Sequence, residues 1–329
     1  MTGPNVDGVL VTWGERLFYP GNRIVRATPL PRRDTMLRRK ATVIRSRIEA
    51  VVRRAPQVMV KVTGGGRGMG AIAAHFRYIS KNGRLMIEDE RGVPRSGKDA
   101  LHDLIDQWRC GGTLIDEVSS RREAFNIMLS MPAGTDADLL KRAVREFARA
   151  ELFGHRYAMV LHEHQANPHL HLSVRAESST GKRLNPRKAD LHRWRETFAE
   201  KLRGWGINAE ATRQPTRGVT RNYEALWRQK AREEGRLRQS PPTKKTGLKQ
   251  ADSRLRAAVS WAHILKALAA SESMEDRKLA EHVAQFVQEM PAVRELLRQR
   301  HYHLQPERQK QQQPPHDRQV GKAEPGISR

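Results

Sequence analysis

Leu161–Val174 reads LHEHQANPHLHLSV, and this stretch decides the predicted fold. Its second half alternates apolar residues with others from Leu170 onward, a pattern typical of a β-strand. An upstream apolar run, Tyr157–Leu161, is a second strand candidate. The Asn167-Pro168 step between the two runs favours a turn. The stretch therefore predicts a β-hairpin.

Four histidines fall within ten positions of this hairpin: His162, His164, His169 and His171. Side chains at i and i+2 of a strand point to one face, so His169 and His171 converge. The hairpin returns His162 to the level of His169. Three imidazoles on one sheet face can bind a divalent transition metal and leave positions open for a substrate. Exposed histidines on a basic protein are the alternative, and we predict the metal site.

Charge favours a polyanionic partner. The chain has 329 residues and a formal net charge of +25, with basic residues spread along its length. Nucleic acid is the natural partner, ahead of membrane lipid, although a merely basic surface gives the same charge. The single cysteine, Cys110, forms no intramolecular disulfide and fits a reducing compartment. We expect no signal peptide and no membrane insertion, because no segment has the required apolar pattern.

A glycine-rich loop precedes the second candidate site. Strand candidate Val58–Val62 runs into the segment GGGRGMG, residues 64–70, and then into a short helix, Ala71–Lys81. The loop also matches a dinucleotide fingerprint, which would require parallel βαβ units around it. Tyr78 lies to the side of the helix's apolar stripe, so it need not pack in the core. Three basic residues surround it: Arg77, Lys81 and Arg84.

The remaining periodicity predicts a mixed α/β chain. Helices are predicted at Met36–Arg54, Asp99–Arg109, Asp136–Phe153 and Asp190–Arg203, and a strand at Ala124–Met131. Met36–Arg54 is strongly basic and is either a solvated helix or a contact for phosphates. We divide the chain into a basic extension with one helix (1–56, poorly ordered to residue 35), a core domain (57–220), a helical region (221–300) and a disordered Gln/Pro-rich tail (301–329).

The spacing H-x-x-x-x-x-x-H-x-H, with Asn-Pro before the second histidine, resembles the metal motif of plasmid relaxases, which are HUH endonucleases. The nearest branch resembles the T-DNA border endonuclease. The stretch GGG…HFRYISKNGRLMI is similar to the first relaxase motif, which implies that Tyr78 is the nucleophile. Ser130, before a Pro-x-Gly-Thr turn, resembles the second motif and implies a DNA contact. His164 stands where the family has an aspartate; it would orient a ligand, accept the tyrosine proton or be merely exposed.

The resemblance implies a central antiparallel sheet flanked by helices, with the histidine hairpin at its centre. It implies metal-dependent nicking of single-stranded or supercoiled DNA at a transfer origin, through a covalent 5′-phosphotyrosyl intermediate. The expected ion is Mg²⁺ or Mn²⁺, with Zn²⁺ as an alternative. The expected partners are accessory relaxosome proteins and a type IV secretion coupling protein. The expected location is the bacterial cytoplasm, with export while bound to DNA.

Other functions remain open at this level. A metal hydrolase would use the same histidines without a tyrosyl intermediate, and a DNA-binding protein would use none of them. A rolling-circle replication initiator is a near relative, but in most of those the tyrosine follows the histidine motif, whereas Tyr78 precedes it. Tyr157 is the main rival nucleophile because it lies on the strand entering the hairpin, and Tyr223 is a more distant one.

Overall fold

The structure is a computed structural model, and it describes residues 5–19, 34–163, 167–219, 231–232, 234–236, 247–291, 293–294 and 297–298. The chain divides into two compact units, Met1–Arg213 and Gln214–Arg329. The predicted tail, 301–329, and most of the first part of the predicted helical region, 221–246, lie outside the described residues. No helix in the described part of the chain is both long and apolar enough to cross a membrane.

The first unit is built on one six-stranded sheet in which every pair of neighbouring strands is antiparallel. The strands are β1 (Met59–Gly64), β2 (Ile87–Asp89), β3 (Pro94–Arg95), β4 (Ala124–Ser130), β5 (His155–His162) and β6 (His169–Ser178). Their spatial order is β1-β4-β6-β5-β2-β3, so the predicted hairpin, β5 and β6, lies at the centre. The predicted fold class, an antiparallel sheet flanked by helices, is confirmed.

Helices cover both faces of this sheet. The helices in the described residues of this unit are α1 (Val6–Phe18), α2 (Asp34–Val52), α3 (Met69–Ile79), α4 (Lys98–Cys110), α5 (Ala137–Glu151) and α6 (Lys188–Gly204). Helices α5 and α6 pack on one face around Phe147 and Trp194, whose rings meet edge to face. Helices α3 and α4 pack on the other face around Phe76 and Trp108. Two separate cores therefore hold the central hairpin from both sides.

The glycine-rich loop serves packing, and the dinucleotide-binding alternative is wrong. No parallel pairing occurs among the described strands of the sheet, so the loop is not part of a βαβ unit. Gly68 adopts φ +95° directly before α3, and a Cβ there would come within 2.3 Å of the Glu117 carbonyl oxygen. The glycine is needed because the chain itself approaches closely at this point.

The expectation of a poorly ordered N-terminus is wrong for Val6–Phe18, which forms α1. The described residues of the extension therefore contain two helices, where one was predicted. Asn5 caps this helix by accepting a hydrogen bond from the Gly8 backbone nitrogen at 3.0 Å. Its apolar stripe includes Leu10 and Leu17, and Gly14 lets α1 approach Ile44 of α2. The sequence did not predict this helix because its glycines lower the helix propensity. In the folded protein the same glycines permit close helix packing.

Two arginines of the basic helix α2 form ion pairs with carboxylates of the protein itself. Arg45 pairs with Asp7 at 2.8 Å, and buried Arg47 pairs with Glu196 at 2.9 Å. These two arginines join α2 to neighbouring elements and are unsuited to phosphate contacts.

Within its described residues, the second unit has two helices, α7 (Leu248–Ala269) and α8 (Met274–Gln288), as the helical periodicity predicted. Trp261 and Phe286 pack between them with ring centroids 5.1 Å apart. Ser273 caps α8 by accepting a hydrogen bond from the Asp276 backbone nitrogen.

Candidate active site

The hairpin register brings three of the predicted histidines together. His162 on β5 pairs directly with His169 on β6, and His171 lies two residues further along the same face. One ligand atom from each ring lies within 4.8 Å of the other two. The ring centroids are 4.7–5.1 Å apart. The predicted convergence of His162, His169 and His171 is thus confirmed.

Hydrogen bonds to backbone carbonyls orient two of these rings. His162 Nε2 lies 2.7 Å from the Ile79 carbonyl oxygen, and His169 Nδ1 lies 3.0 Å from the Asn167 carbonyl oxygen. A carbonyl only accepts, so each of these nitrogens donates its proton. The neutral ring then carries its lone pair on the other nitrogen, which is how the ligand atom of a metal-binding histidine is commonly selected.

The third ring, His171, has a nitrogen in need of a partner. Its Nδ1 is buried and makes no hydrogen bond within the described part of the chain. Burial, together with the neighbouring His162 and His169, lowers the pKa of His171 to about 3. An imidazole that stays unprotonated and has a buried nitrogen without a partner is suited to hold a metal ion. The donor set therefore fits a divalent cation, with three nitrogen ligands and room for oxygen ligands from a substrate.

Tyr78 lies on α3, close to this cluster. The side chain is 73% exposed, as expected for a residue beside the apolar stripe. The carbonyl that accepts from His162 belongs to Ile79, the residue after Tyr78, so one hydrogen bond joins the end of α3 to the histidine cluster. Three exposed cations flank the tyrosine in sequence: Arg77, Lys81 and Arg84. Lys81, at φ +50°, also begins the left-handed turn that ends α3.

A fourth histidine joins the two groups. His75, half-buried on α3, has its ring centroid 6.3 Å from that of Tyr78 and 6.3 Å from that of His171. Its Nε2 is buried without a hydrogen-bond partner in the described residues, and burial lowers its pKa. No motif singled out His75 in the sequence. Its one signal is the i, i+3 spacing to Tyr78, which places both on the same side of the helix.

Residues 81–207 match the family model described as "Relaxase: MobA/VirD2-like, nuclease domain". This segment of the chain is therefore similar to the nuclease domain of MobA/VirD2-like relaxases. The matched segment contains the three clustered histidines and begins three residues after Tyr78. The resemblance to relaxases is confirmed by this match, and the histidine cluster fits the HUH pattern.

The other comparisons add little to this similarity. No curated protein matches the chain. One solved structure, described as "Molecular Basis of Vancomycin Resistance Transfer in Staphylococcus aureus", matches with 15% identity over 48% of this chain and 98% of that chain. Its TM-score is 0.30, and a likeness at that level carries no argument.

Tyr157, the main rival for the nucleophile, lies on the face of the sheet opposite the histidine cluster. Tyr157 pairs with Val174 and packs in the core beneath α5 and α6, where it is only 5% exposed. The histidines project from the opposite face. Burial also raises the pKa of Tyr157, which disfavours the phenolate. Tyr223, the more distant rival, lies outside the described residues.

Two other predicted site residues are placed differently. Ser130 is buried, and its hydroxyl donates to the Pro168 carbonyl oxygen at 3.1 Å, which ties the end of β4 to the hairpin loop. Asn167 reinforces the loop by accepting from the Ala133 backbone nitrogen at 3.0 Å. The predicted DNA contact of Ser130 stays a prediction. His164 lies outside the described residues.

An exposed cation lies on the same face of the sheet as the histidine cluster. Lys61 on β1 pairs with Met128, which pairs in turn with His171. Residues paired across antiparallel strands project to the same side, so Lys61 lies two strands from His171, roughly 10 Å away. Helices α3 and α4 cover the other end of this face, and Met59 and Lys61 remain exposed on β1.

Proposed function

We propose that the chain is a plasmid DNA relaxase, with the relaxase domain at residues 57–220. It nicks one strand of a transfer origin by transesterification, with Tyr78 as the nucleophile and His162, His169 and His171 as the metal ligands. The observation that carries the proposal is the hydrogen bond from His162 to the Ile79 carbonyl. This hydrogen bond holds the end of helix α3 against the histidine cluster, so it sets the position of Tyr78 relative to the metal ligands.

The reaction exchanges one phosphate ester for another. The Tyr78 oxygen attacks the phosphorus, an O–P bond forms, and the bond from phosphorus to the 3′ oxygen breaks. The phenol proton leaves to solvent, and the 3′ oxygen takes up a proton to become a hydroxyl. The 5′ phosphate stays on the tyrosine. A bound divalent cation supplies polarisation of the scissile phosphate and stabilises charge on its oxygens. Because an ester replaces an ester, the same site can rejoin strands.

The surface around the site suits a single DNA strand. Lys61 on one side and Arg77, Lys81 and Arg84 on the other are exposed cations that can pair with successive phosphates. Exposed Met59 and half-buried Met128 lie on the sheet face beside Lys61 and offer apolar surface to unstacked bases. We infer that the strand crosses the β1 side of the sheet before it reaches Tyr78.

The biological setting follows from this activity. We propose Mg²⁺ or Mn²⁺ as the ion, with Zn²⁺ as an alternative. The substrate is single-stranded or supercoiled DNA at the transfer origin of a conjugative or mobilizable plasmid. Accessory relaxosome proteins and a type IV secretion coupling protein are the proposed partners. The protein acts in the bacterial cytoplasm and leaves it covalently bound to DNA.

The test is a covalent trapping assay. The full chain is incubated with single-stranded origin-region DNA and Mn²⁺, and a denaturing gel detects a protein–DNA adduct. We expect the adduct with the wild type and with Tyr157→Phe, but none with Tyr78→Phe, because phenylalanine has no oxygen to bond phosphorus. A His169→Ala/His171→Ala variant should neither bind the ion nor nick.

Each failure has a distinct meaning. An adduct in the Tyr78→Phe variant refutes the assigned nucleophile, and peptide mapping then identifies the true one. Metal-dependent cleavage without any adduct indicates a hydrolase. DNA binding without metal-dependent cleavage indicates that the histidines serve no catalytic purpose.

A further inference from the structure

Among the described histidines near the site, His75 is the one whose buried nitrogen is explained neither by the metal cluster nor by a hydrogen bond to the protein. The three metal-binding candidates have ligand atoms within 4.8 Å of one another, and His75 is not a member of that set. Its ring instead neighbours both Tyr78 and His171, with centroid distances of 6.3 Å in each case. Its Nε2 is buried and has no hydrogen-bond partner among the described residues.

A purely structural histidine would satisfy that nitrogen. Buried polar atoms in proteins are nearly always hydrogen-bonded, so an unpaired one beside a candidate active site calls for an explanation, and a bound substrate supplies one. The phosphate of a substrate that lies between a metal site and a nucleophile would pass beside this ring. Phosphate oxygens only accept hydrogen bonds, so the matching state of His75 is the neutral ring with its proton on Nε2.

We propose that His75 is a positioning residue whose Nε2–H donates a hydrogen bond to a non-bridging oxygen of the scissile phosphate. The inference rests on the proposed function, since it places that phosphate between the histidine cluster and Tyr78. The hydrogen bond holds the phosphorus in line with the tyrosine oxygen and strengthens as charge gathers on the phosphate oxygens. Tyr78 and His75 share α3, so their relative position is set by one rigid element.

Three variants separate this role from the alternatives: His75→Gln, His75→Phe and His75→Ala. Glutamine keeps an N–H donor near the position of Nε2, phenylalanine keeps the ring without a donor, and alanine keeps neither. Single-turnover adduct formation should fall about 100-fold in the Phe and Ala variants, a typical loss for one transition-state donor, and recover at least partly in the Gln variant. The Mn²⁺ affinity should be unchanged in all three, and the KM for DNA should change far less than the rate, because the hydrogen bond is strongest in the transition state.

The outcomes are decisive in both directions. If His75→Phe reacts at the wild-type rate, the ring serves packing and the proposal fails. If Mn²⁺ affinity falls in the variants as it does in His171→Ala, His75 is a fourth ligand and the proposal also fails. A loss in His75→Gln as large as in His75→Ala excludes the hydrogen-bond role.

A second measurement does not depend on catalysis. In Tyr78→Phe protein with bound Mg²⁺ and single-stranded DNA, the Nε2–H proton of ¹⁵N-labelled His75 should become protected from exchange. If this signal appears while the wild type forms no adduct, the phosphate contact stands and the proposed strand transfer fails. If the wild type forms the adduct and the signal never appears, the relaxase function stands and the role of His75 is refuted.

Discussion

His171→Leu should change the protein's stability in opposite directions with and without metal. The buried Nδ1 of His171 lacks a hydrogen bond, and an unsatisfied buried polar group costs about 1–3 kcal/mol. Leucine removes that cost and keeps an apolar side chain of similar size. The metal-free variant should therefore be more stable than the metal-free wild type by up to about 2 kcal/mol. In a unit of about 200 residues this raises the midpoint of thermal unfolding by roughly 4–8 °C.

With metal bound, the wild type should be more stable than His171→Leu. An ion at 100 times its dissociation constant stabilises the folded state by about 2.7 kcal/mol, which corresponds to roughly 5–11 °C in the wild type. His171→Leu loses one of three nitrogen ligands and should show almost no shift. Differential scanning calorimetry with EDTA or Mn²⁺ measures both effects, and His102→Leu is the control because His102 is an exposed histidine on α4, outside the cluster.

Two results would refute the reasoning. If metal-free His171→Leu is less stable than the wild type by several kcal/mol, His171 has a packing role that the buried nitrogen does not reveal. If the variant keeps the full metal-induced shift, the ion binds somewhere else and the histidine cluster is not the metal site.

Other predictions concern stability and DNA binding. Glu88 is 2% exposed; burial opposes its ionisation, but hydrogen bonds led by that from Arg145 hold its pKa below the ordinary value. The ionised Glu88 carboxylate therefore stabilises the folded state fully above about pH 4.3, the pKa of glutamate in the unfolded chain, and this stabilisation is lost as the pH falls through the lower pKa of the folded state. In chemical denaturation at pH 7, Glu88→Gln should lower the free energy of unfolding by about 2–3 kcal/mol. Lys61→Ala should reduce the slope of log affinity for single-stranded DNA against log salt by about 0.7, the value for one phosphate contact, and an unchanged slope would remove Lys61 from the strand path. Ser130→Ala should lower the free energy of unfolding by about 1 kcal/mol, since the Pro168 carbonyl loses the Ser130 hydroxyl and keeps only the Met131 backbone N–H as a donor. If stability is unchanged and DNA affinity falls instead, Ser130 contacts DNA as the motif implies.

The central hairpin could be predicted from local sequence. Alternation along the strand decides which face each side chain points to, so His169 and His171 converge. The Asn-Pro step predicts where the chain turns between the two strands. The return of His162 to the same level follows from the short connection. These features depend on neighbours in sequence, where a periodicity of two leaves little freedom.

Only the folded sheet shows that Tyr157 and the histidine cluster lie on opposite faces. Tyr157 is close to the histidines in sequence, but its position in the strand and the packing of α5 and α6 place it on the opposite face. Tyr78 is far away in sequence and reaches the cluster only because α3 packs on the histidine side.

The sequence alone determined the hairpin, the histidine spacing and most helices, because each depends on a short repeating pattern. Only the tertiary structure decided that His162 donates to Ile79, that His75 stands next to both Tyr78 and His171, and that residues near the N-terminus form α1. These contacts join segments that are distant in sequence, so no local pattern predicts them. They form because the helices pack on the sheet to bury their apolar faces.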